Sequence, residues 1–462
     1  MKTYNDLMEC KTEDERIKLI EAAIAAHRSS ELYSIAEDAA LYAAQRNVTI
    51  NNTVKHITSL SGQKKRDDFA VNHKCASGFF GRFITQQVQY LLGNGVTFAE
   101  ESTKEKLGRD FDTQMQKLAE AALIGACSFG FFDNGRVEVF KVTEFVPLWD
   151  EDTGALRAGI RFWQIAPDKP LKVRLFEEDG FTAYTKPKDK QMQISQEKRA
   201  YINIIASTKA GGEWLLEGKN YPSFPIIPLW GNKHHQSELV GIRSKIDCYD
   251  LIMSGFANDL EEASYFYWTL ENCGGMEDKD LAAFLYKMRT VHAANVENAN
   301  GEAGAKATAH TMDVPYNARE AALDRLKKDL YEDYMALDVA QIAAGSVTAT
   351  QIEAAYEPLN EKADAWEYCV IEFIDGLLAL LDIQDTPSFT RSQISNKKEY
   401  TEMILSAATH LDEETVIKKL PFLTPEEAEA VIEARQAEET ARFDDIDETD
   451  EETPTEEEET EA

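Results

Sequence analysis

The residues able to do chemistry are few and scattered. Of the eight histidines (His27, His56, His73, His234, His235, His292, His310 and His410), only the pair His234-His235 is clustered. Neighbouring side chains on an extended segment point to opposite sides, so this pair lacks the converging ligand set a metal needs and reads as a solvated turn. Asp150, Glu151 and Asp152 precede Thr153-Gly154. Carboxylates suit a hard cation, yet one local triplet lacks the spaced oxygen ligands of a calcium loop and has the composition of a hairpin tip. Arg319, Arg325, Lys327 and Lys328 offer cations to phosphate, but they alternate with Glu320, Asp324, Asp329 and Glu332 as on a salt-bridged helix surface. The chain contains no GxxxxGK[ST], no GxGxxG between a strand and a helix, no HExxH and no GxSxG. The residue types therefore predict no catalytic centre, no metal and no cofactor, and they exclude a phosphate-cradling nucleotidase.

What these residues sit in is a long, acidic chain. Its 462 residues carry 49 Lys+Arg against 82 Asp+Glu, a formal charge of −33. Twelve carboxylates and no Lys or Arg fall between 444 and 462, and the absence of large apolar residues after Ile446 predicts a disordered acidic tail there. A protein that grips nucleic acid gains affinity from cations that displace counterions, so this balance argues against adhesion to DNA while permitting passage beside it. A content of 43% hydrophobic residues is enough to bury real cores, and at about 100–200 residues per domain the length predicts two to four units. Six scattered cysteines without a CxxC pair read as reduced thiols of an intracellular protein. The greasiest run, 370–383, is interrupted by Glu372, Asp375 and Asp382, so no membrane span is expected.

Periodicity supplies the elements. Up to about Phe132 the pattern is helical, broken by a polar stretch at 62–68 that reads as a surface loop. From 135 to 230 the period becomes two, with Gly, Asp and Pro between the runs, which predicts an antiparallel strand-rich module. Three prolines in 221–228 fit an edge or exit strand. Ile242, Ile246, Tyr249, Met253, Phe256, Leu260 and Ala263 then line one helix face, and Leu323, Leu326, Leu330, Tyr334 and Leu337 line another. Between these helices, 264–315 reads as a small α/β insert. The small residues Ala343, Ala344, Gly345, Ser346, Val347 and Thr348 predict a loop. Thr348 with Gln351 forms a capping-box pattern that opens a helix running to about Leu381, roughly 50 Å long, with a kink at Pro358. A polar helical region follows at 397–442.

Several segments, in order, resemble the phage portal protein family, in the branch typified by the portal of phage SPP1. Asn72-His73, then 87–98 with the run Tyr90-Leu-Leu-Gly-Asn-Gly95, is similar to that family's Asn, helix and "YLxGxP" turn, Gly95 standing where the family has Pro. Residues 224–232 resemble its "PIIPxxNN" exit, with Gly231 for the first Asn. Ile246-Asp-Cys-Tyr-Asp250, Ser254 and Asn258-Asp259 resemble "IDxYDxxxSxxxND", the most specific segment; 389–396 and 420–427 follow in the family's order. The resemblance spans roughly 72–435.

This resemblance implies an α+β, multi-domain portal fold. Residues 1–236 would be the wing (helical to about 132, strand-rich at 135–230), 237–263 and 317–338 the two stem helices, and 264–316 the clip. Residues 339–348 would be the tunnel loop, 349–396 the long kinked helix and wing return, and 397–443 the crown, before the acidic tail at 444–462. It implies a ring of this chain with itself, typically a dodecamer, at one capsid vertex of the virion, assembled in the host cytoplasm. Double-stranded DNA passes through the channel without sequence specificity. Terminase, scaffold, the major capsid protein and a head-completion or adaptor protein dock on the ring, and no membrane takes part. ATP is hydrolysed by the separate terminase, so no residue of the chain is catalytic. Tunnel-loop positions would be Gly345, Ser346, Val347 and Thr348, with Lys327 and Lys328 as further channel candidates. Ile246, Tyr249, Met253, Phe256, Leu323, Leu326 and Leu330 would pack stems between subunits, and Leu326→Asp or Phe256→Asp is expected to block ring assembly. The competing reading is another structural virion component, such as a head-tail connector or scaffold-associated protein.

Overall fold

The computed structural model describes residues 2–58, 62–67, 70–207, 213–263, 267–271, 277–290, 306–310, 315–343, 348–392, 401, 404–408, 412–420, 428 and 430–435. The chain divides into two compact units, residues 1–336 with 359–392, and residues 337–358 with 393–462.

The first unit begins with helices α1 (Tyr4–Glu9), α2 (Glu13–Arg28), α3 (Glu31–Ala43) and α4 (Val48–Asn51), followed by a hairpin of β1 (His56–Thr58) and β2 (Lys64–Arg66). Thr3 and Thr12 each close a capping box on the residue three positions on, which explains why α1 and α2 start where they do. The stretch predicted as a loop at 62–68 thus contains a short strand. All three of its residues are exposed, so it carries no alternation by which sequence could reveal it.

Helix α5 (Phe79–Leu92), strand β3 (Val96–Phe98), α6 (Glu101–Leu107) and α7 (Phe111–Gly125) lead into β4 (Cys127–Phe132), β5 (Val137–Lys141) and β6 (Phe145–Trp149). Then come β7 (Leu156–Trp163), β8 (Leu171–Glu177), β9 (Gly180–Lys186), β10 (Gln193–Arg199), β11 (Ile202–Ser207), β12 (Glu213–Lys219) and β13 (Ile226–Trp230). One sheet has the order β10-β9-β8-β7-β6 and another β13-β4-β5, each antiparallel throughout. Pro228 lies in β13, an edge strand as its prolines predict.

These elements form layers. Helices α1 and α2 cover one face of the five-stranded sheet through Leu7, Ile20, Ile24, Ile160 and Val173. An aromatic cluster of Phe129, Phe131, Phe140, Phe145, Phe176 and Tyr201 joins its other face to the three-stranded sheet. Helix α7 packs on the far side of that second sheet, in a core shared with α3 and α5. Strand β4 is therefore covered on both faces and all six of its residues are buried. That removes the alternation a half-exposed strand shows, and it is why the sequence places 127–132 in the helical part when it is the central strand.

After β13 the chain forms α8 (Arg243–Ala263), β14 (Tyr267–Glu271), α9 (Asp278–Thr290), β15 (Lys306–His310) and α10 (Tyr316–Tyr334), with β14 and β15 paired antiparallel. Next come α11 (Val339–Ala343), α12 (Ala349–Leu380) and β16 (Pro387–Phe389), which pairs with β3. Val339–Ala343, predicted as part of a loop, is helical. Thr348 and Gln351 exchange the predicted hydrogen bonds, 3.1 Å and 3.4 Å, and α12 stays helical across Pro358. Of the second unit, helix α13 (Glu413–Lys419) is capped by Asp412. The acidic tail and Gly345, Ser346 and Val347 lie outside the described residues.

Two turns depend on glycine. Gly95, at φ +78°, adopts a conformation closed to proline, whose ring fixes φ near −65°. Its hydrogens face the Asp112 carboxylate, which accepts from Val96 N–H (3.1 Å) and pairs with Lys104 (2.7 Å). At Gly231 a side chain would meet the Ala122 carbonyl 2.5 Å away.

His27 on α2 is fully buried and its Nε2 is 2.7 Å from the Val142 carbonyl oxygen, so Nε2–H donates. Burial pushes its pKa down. Below about pH 6.5 the unfolded chain takes up a proton that the folded chain refuses, so this contribution is complete above that pH and is lost as pH falls. We expect the thermal midpoint of the native chain to drop more between about pH 7 and about pH 5 than that of His27→Gln, which keeps a donor and does not titrate. Parallel pH profiles would refute the assignment.

Candidate functional site

The site built most fully is the root of the helix pair α8 and α10. One face of α8 is apolar only at its start, where Ile246 is 1% exposed; farther along, Asp250, Ser254 and Asn258 are buried polar residues. Each accepts a hydrogen bond from the extended segment before α5. Ser77 N–H donates to Asp250 Oδ1 (2.9 Å), Cys75 N–H to Ser254 Oγ (3.0 Å) and His73 N–H to Asn258 Oδ1 (2.6 Å). The match is geometric. Four helical residues rise about 6 Å and two extended residues span about 6.6 Å, so side chains four apart meet amides two apart on a strap running antiparallel to the helix.

The first rung is tied further. Asn47 Nδ2, before α4, donates to Asp250 Oδ2 (2.7 Å), while Tyr42 and Thr49 hydroxyls donate to Asp247 at 2.5 Å and 2.8 Å. Burial raises the Asp250 pKa from its ordinary value, opposed by its bonds from Ser77 and Asn47. His73 also contacts Glu261 through its ring.

Helix α10 is anchored by Leu330, Tyr331 and Tyr334, all buried. Phe83 stacks on Tyr334 at 4.7 Å and meets Tyr331 edge-on at 5.1 Å. The Tyr334 hydroxyl donates to Gln87 Oε1 (2.8 Å). Against the same tyrosine lies Lys362 of α12, its ammonium 3.5 Å from the ring centroid, 2.6 Å from Glu238 Oε2 and 3.1 Å from the Tyr334 carbonyl oxygen. Burial lowers the Lys362 pKa, opposed by Glu238. Asn232 holds Glu238 in place, its Nδ2 donating at 2.9 Å.

The residues expected to pack stems divide. Ile246 and Leu330 belong to the core of their own chain. Tyr249 meets Phe79 edge-on at 5.0 Å, and Phe256 packs on Tyr316 at 5.7 Å. Leu323 and Leu326 are half-buried, whereas Met253 is 38% exposed and Leu260 on the same stripe 53%. Lys328 pairs with Glu332 one turn on (3.5 Å), and Lys327 is half-buried on the same helix. Asp150 forms a turn, accepting from the backbone of Asp152 (2.9 Å) and Thr153 (3.1 Å) and pairing with Arg157. His235 stacks on Trp230, and His234 N–H caps the Asn232 side chain (3.0 Å). Among the described residues no group of three or more His, Cys, Asp or Glu converges to hold a metal, and no helix is long and apolar enough to cross a membrane.

Sequence reasoning gave no role to Lys362 or Glu238 and took Asp250, Ser254 and Asn258 only as motif positions, not as a polar ladder. The ladder left a signal: polar residues every fourth position at 250, 254 and 258, beside an apolar stripe, mark a second covered face.

The fold and this site define an α+β protein organised around anchored helices. The sequence model of the family described as "Phage portal protein, SPP1 Gp6-like" matches residues 21–442, and the chain belongs to that family: it is a phage portal protein. It is 25% identical over 389 residues to the portal protein of Clostridium phage phiCD119, covering 78% of this chain and 84% of that protein. It is 24% identical over 407 residues to the portal protein of Bacillus phage SPP1, covering 81% and 78%. A solved structure described as the neck of a native GTA particle, computed with C12 symmetry, aligns with 75% of this chain and 90% of its own at 10% identity and a TM-score of 0.40.

Proposed function

We propose that the chain assembles into a closed ring, of twelve subunits in the family's usual form, that serves as the DNA conduit of one capsid vertex during packaging and ejection. The observation that carries this reading is the family match across 21–442. In it, α8 and α10 are the stem, the insert with β14, α9 and β15 is the clip, and the segment around Thr348 is the tunnel loop. Pro358 kinks the long helix, and α13 belongs to the crown. The ring itself performs no catalysis; terminase docks on it and supplies the chemical work, while scaffold, major capsid and head-completion proteins meet it elsewhere. A wall drawn from a chain of charge −33 lets a phosphate backbone slide because few cations hold it.

The stem stripe supports assembly. Met253 and Leu260 leave apolar surface on α8 that a neighbouring stem would cover. Negative-stain electron microscopy with native mass spectrometry should show rings with a central hole and a tapered end, and Met253→Asp or Leu260→Asp should yield folded monomers. Rings of unchanged mass in both variants would remove the stem stripe from the interface; a native chain that stays monomeric across salt and concentration would overturn the ring.

A further inference from the structure

Strand β5 is an edge strand, and its open edge lies in a cleft of about 520 Å³ walled by α7 on one side and by Arg161 of β7 on the other. Asp133 N–H donates to the Arg136 carbonyl (2.8 Å), closing the β4–β5 hairpin on a hydrogen-bonded pair. In an antiparallel ladder bonded and non-bonded pairs alternate, so in this register Glu138 and Phe140 bond to β4, while the amides and carbonyls of Val137 and Val139 face the cleft. Among the described residues nothing bonds to them.

The side chains around this edge are cationic on an otherwise acidic protein. Lys117, Arg136, Lys141 and Arg161 line the cleft against Glu120 and Glu138. Arg136 is engaged by Asp110 (3.3 Å) and Arg161 by Glu138 (3.1 Å), while Lys117 and Lys141 are exposed and have no ion pair among the described residues. An unpaired edge is a template for an added strand, and unpaired lysines along it select that strand's charge.

We infer that the β5 edge is a docking groove for an extended, carboxylate-rich segment of a partner protein, which adds as a strand beside Val137 and Val139 and places its acidic side chains against Lys117 and Lys141. A strand edge with free amides and carbonyls suits a single extended chain, whose main chain can bond to it. The groove is separate from the stem and does not depend on the ring reading.

The test is fluorescence anisotropy of the full chain with a labelled peptide of about ten alternating Glu and Val residues. Saturable binding that weakens with salt is expected, falling about tenfold or more in Lys117→Glu/Lys141→Glu. Val139→Pro removes a cleft-facing N–H from an edge strand while sparing the ladder, and should weaken binding without lowering the thermal midpoint appreciably. Failure of the native chain to bind, or binding untouched in both variants, overturns the groove. A short DNA duplex that competes the peptide off would make the occupant nucleic acid, and tighter peptide binding after removal of residues 444–462 would make it the chain's own acidic end; either result overturns the partner assignment.

Discussion

Lys362→Met will lower the stability of the first unit by about 3–5 kcal/mol, measured as the shift in its denaturant midpoint. Lys362 and Glu238 side chains are only 15% and 12% exposed, so removal of the cation leaves a carboxylate buried without a counter-charge. The loss spreads beyond the pair. The same ammonium covers the Tyr334 ring and bonds its carbonyl, so α10 loses its contact with α12 at the point where Tyr334 also reaches Gln87 of α5. The double variant Lys362→Met/Glu238→Gln should recover most of the loss, because a neutral amide can stay bonded to Asn232 and carries no buried charge. Equal losses in single and double variants would show that the pair does not act as a unit.

Ser254→Ala/Asn258→Ala will release the strap. Each substitution removes the acceptor of one amide, Cys75 N–H or His73 N–H, both part-buried and so partly re-solvated when freed, at about 0.5–1.5 kcal/mol per lost bond. Asp250→Ala strands two donors at once, Ser77 N–H and Asn47 Nδ2, with a loss at least as large. Amide hydrogen exchange separates this from general destabilisation: protection of residues 73–77 should collapse while that of the five-stranded sheet persists. Asn258→Asp keeps an acceptor and should retain protection. Continued protection in the double alanine variant would refute the clamp.

Much of the architecture was legible because it obeys simple periods. The two-residue alternation of β7 and β8 and the three-to-four spacing along α8 and α10 are visible in the chain. What escaped had lost its period for a physical reason. Strand β4 is covered on both faces, β2 is exposed on both, and α11 is too short to show a repeat. The root of the helix pair was half legible: its apolar anchors follow from spacing, but Lys362 and Glu238 are 124 residues apart and nothing local links them. The motif that most resembled the portal family proved to be a packing device, since Asp250, Ser254 and Asn258 are the rungs that hold the strap.

A helix gripped at three successive turns is indexed like a shaft held by a key. To roll about its axis or slip by one residue, α8 must release all three rungs together, since the amides they meet are spaced for a single register. The azimuth of the apolar stripe beside the rungs is thereby set before any neighbour arrives, and Met253 and Leu260 are presented on a fixed bearing. In a closed ring, a small angular error per subunit would accumulate around the circumference; a keyed shaft removes it at the source.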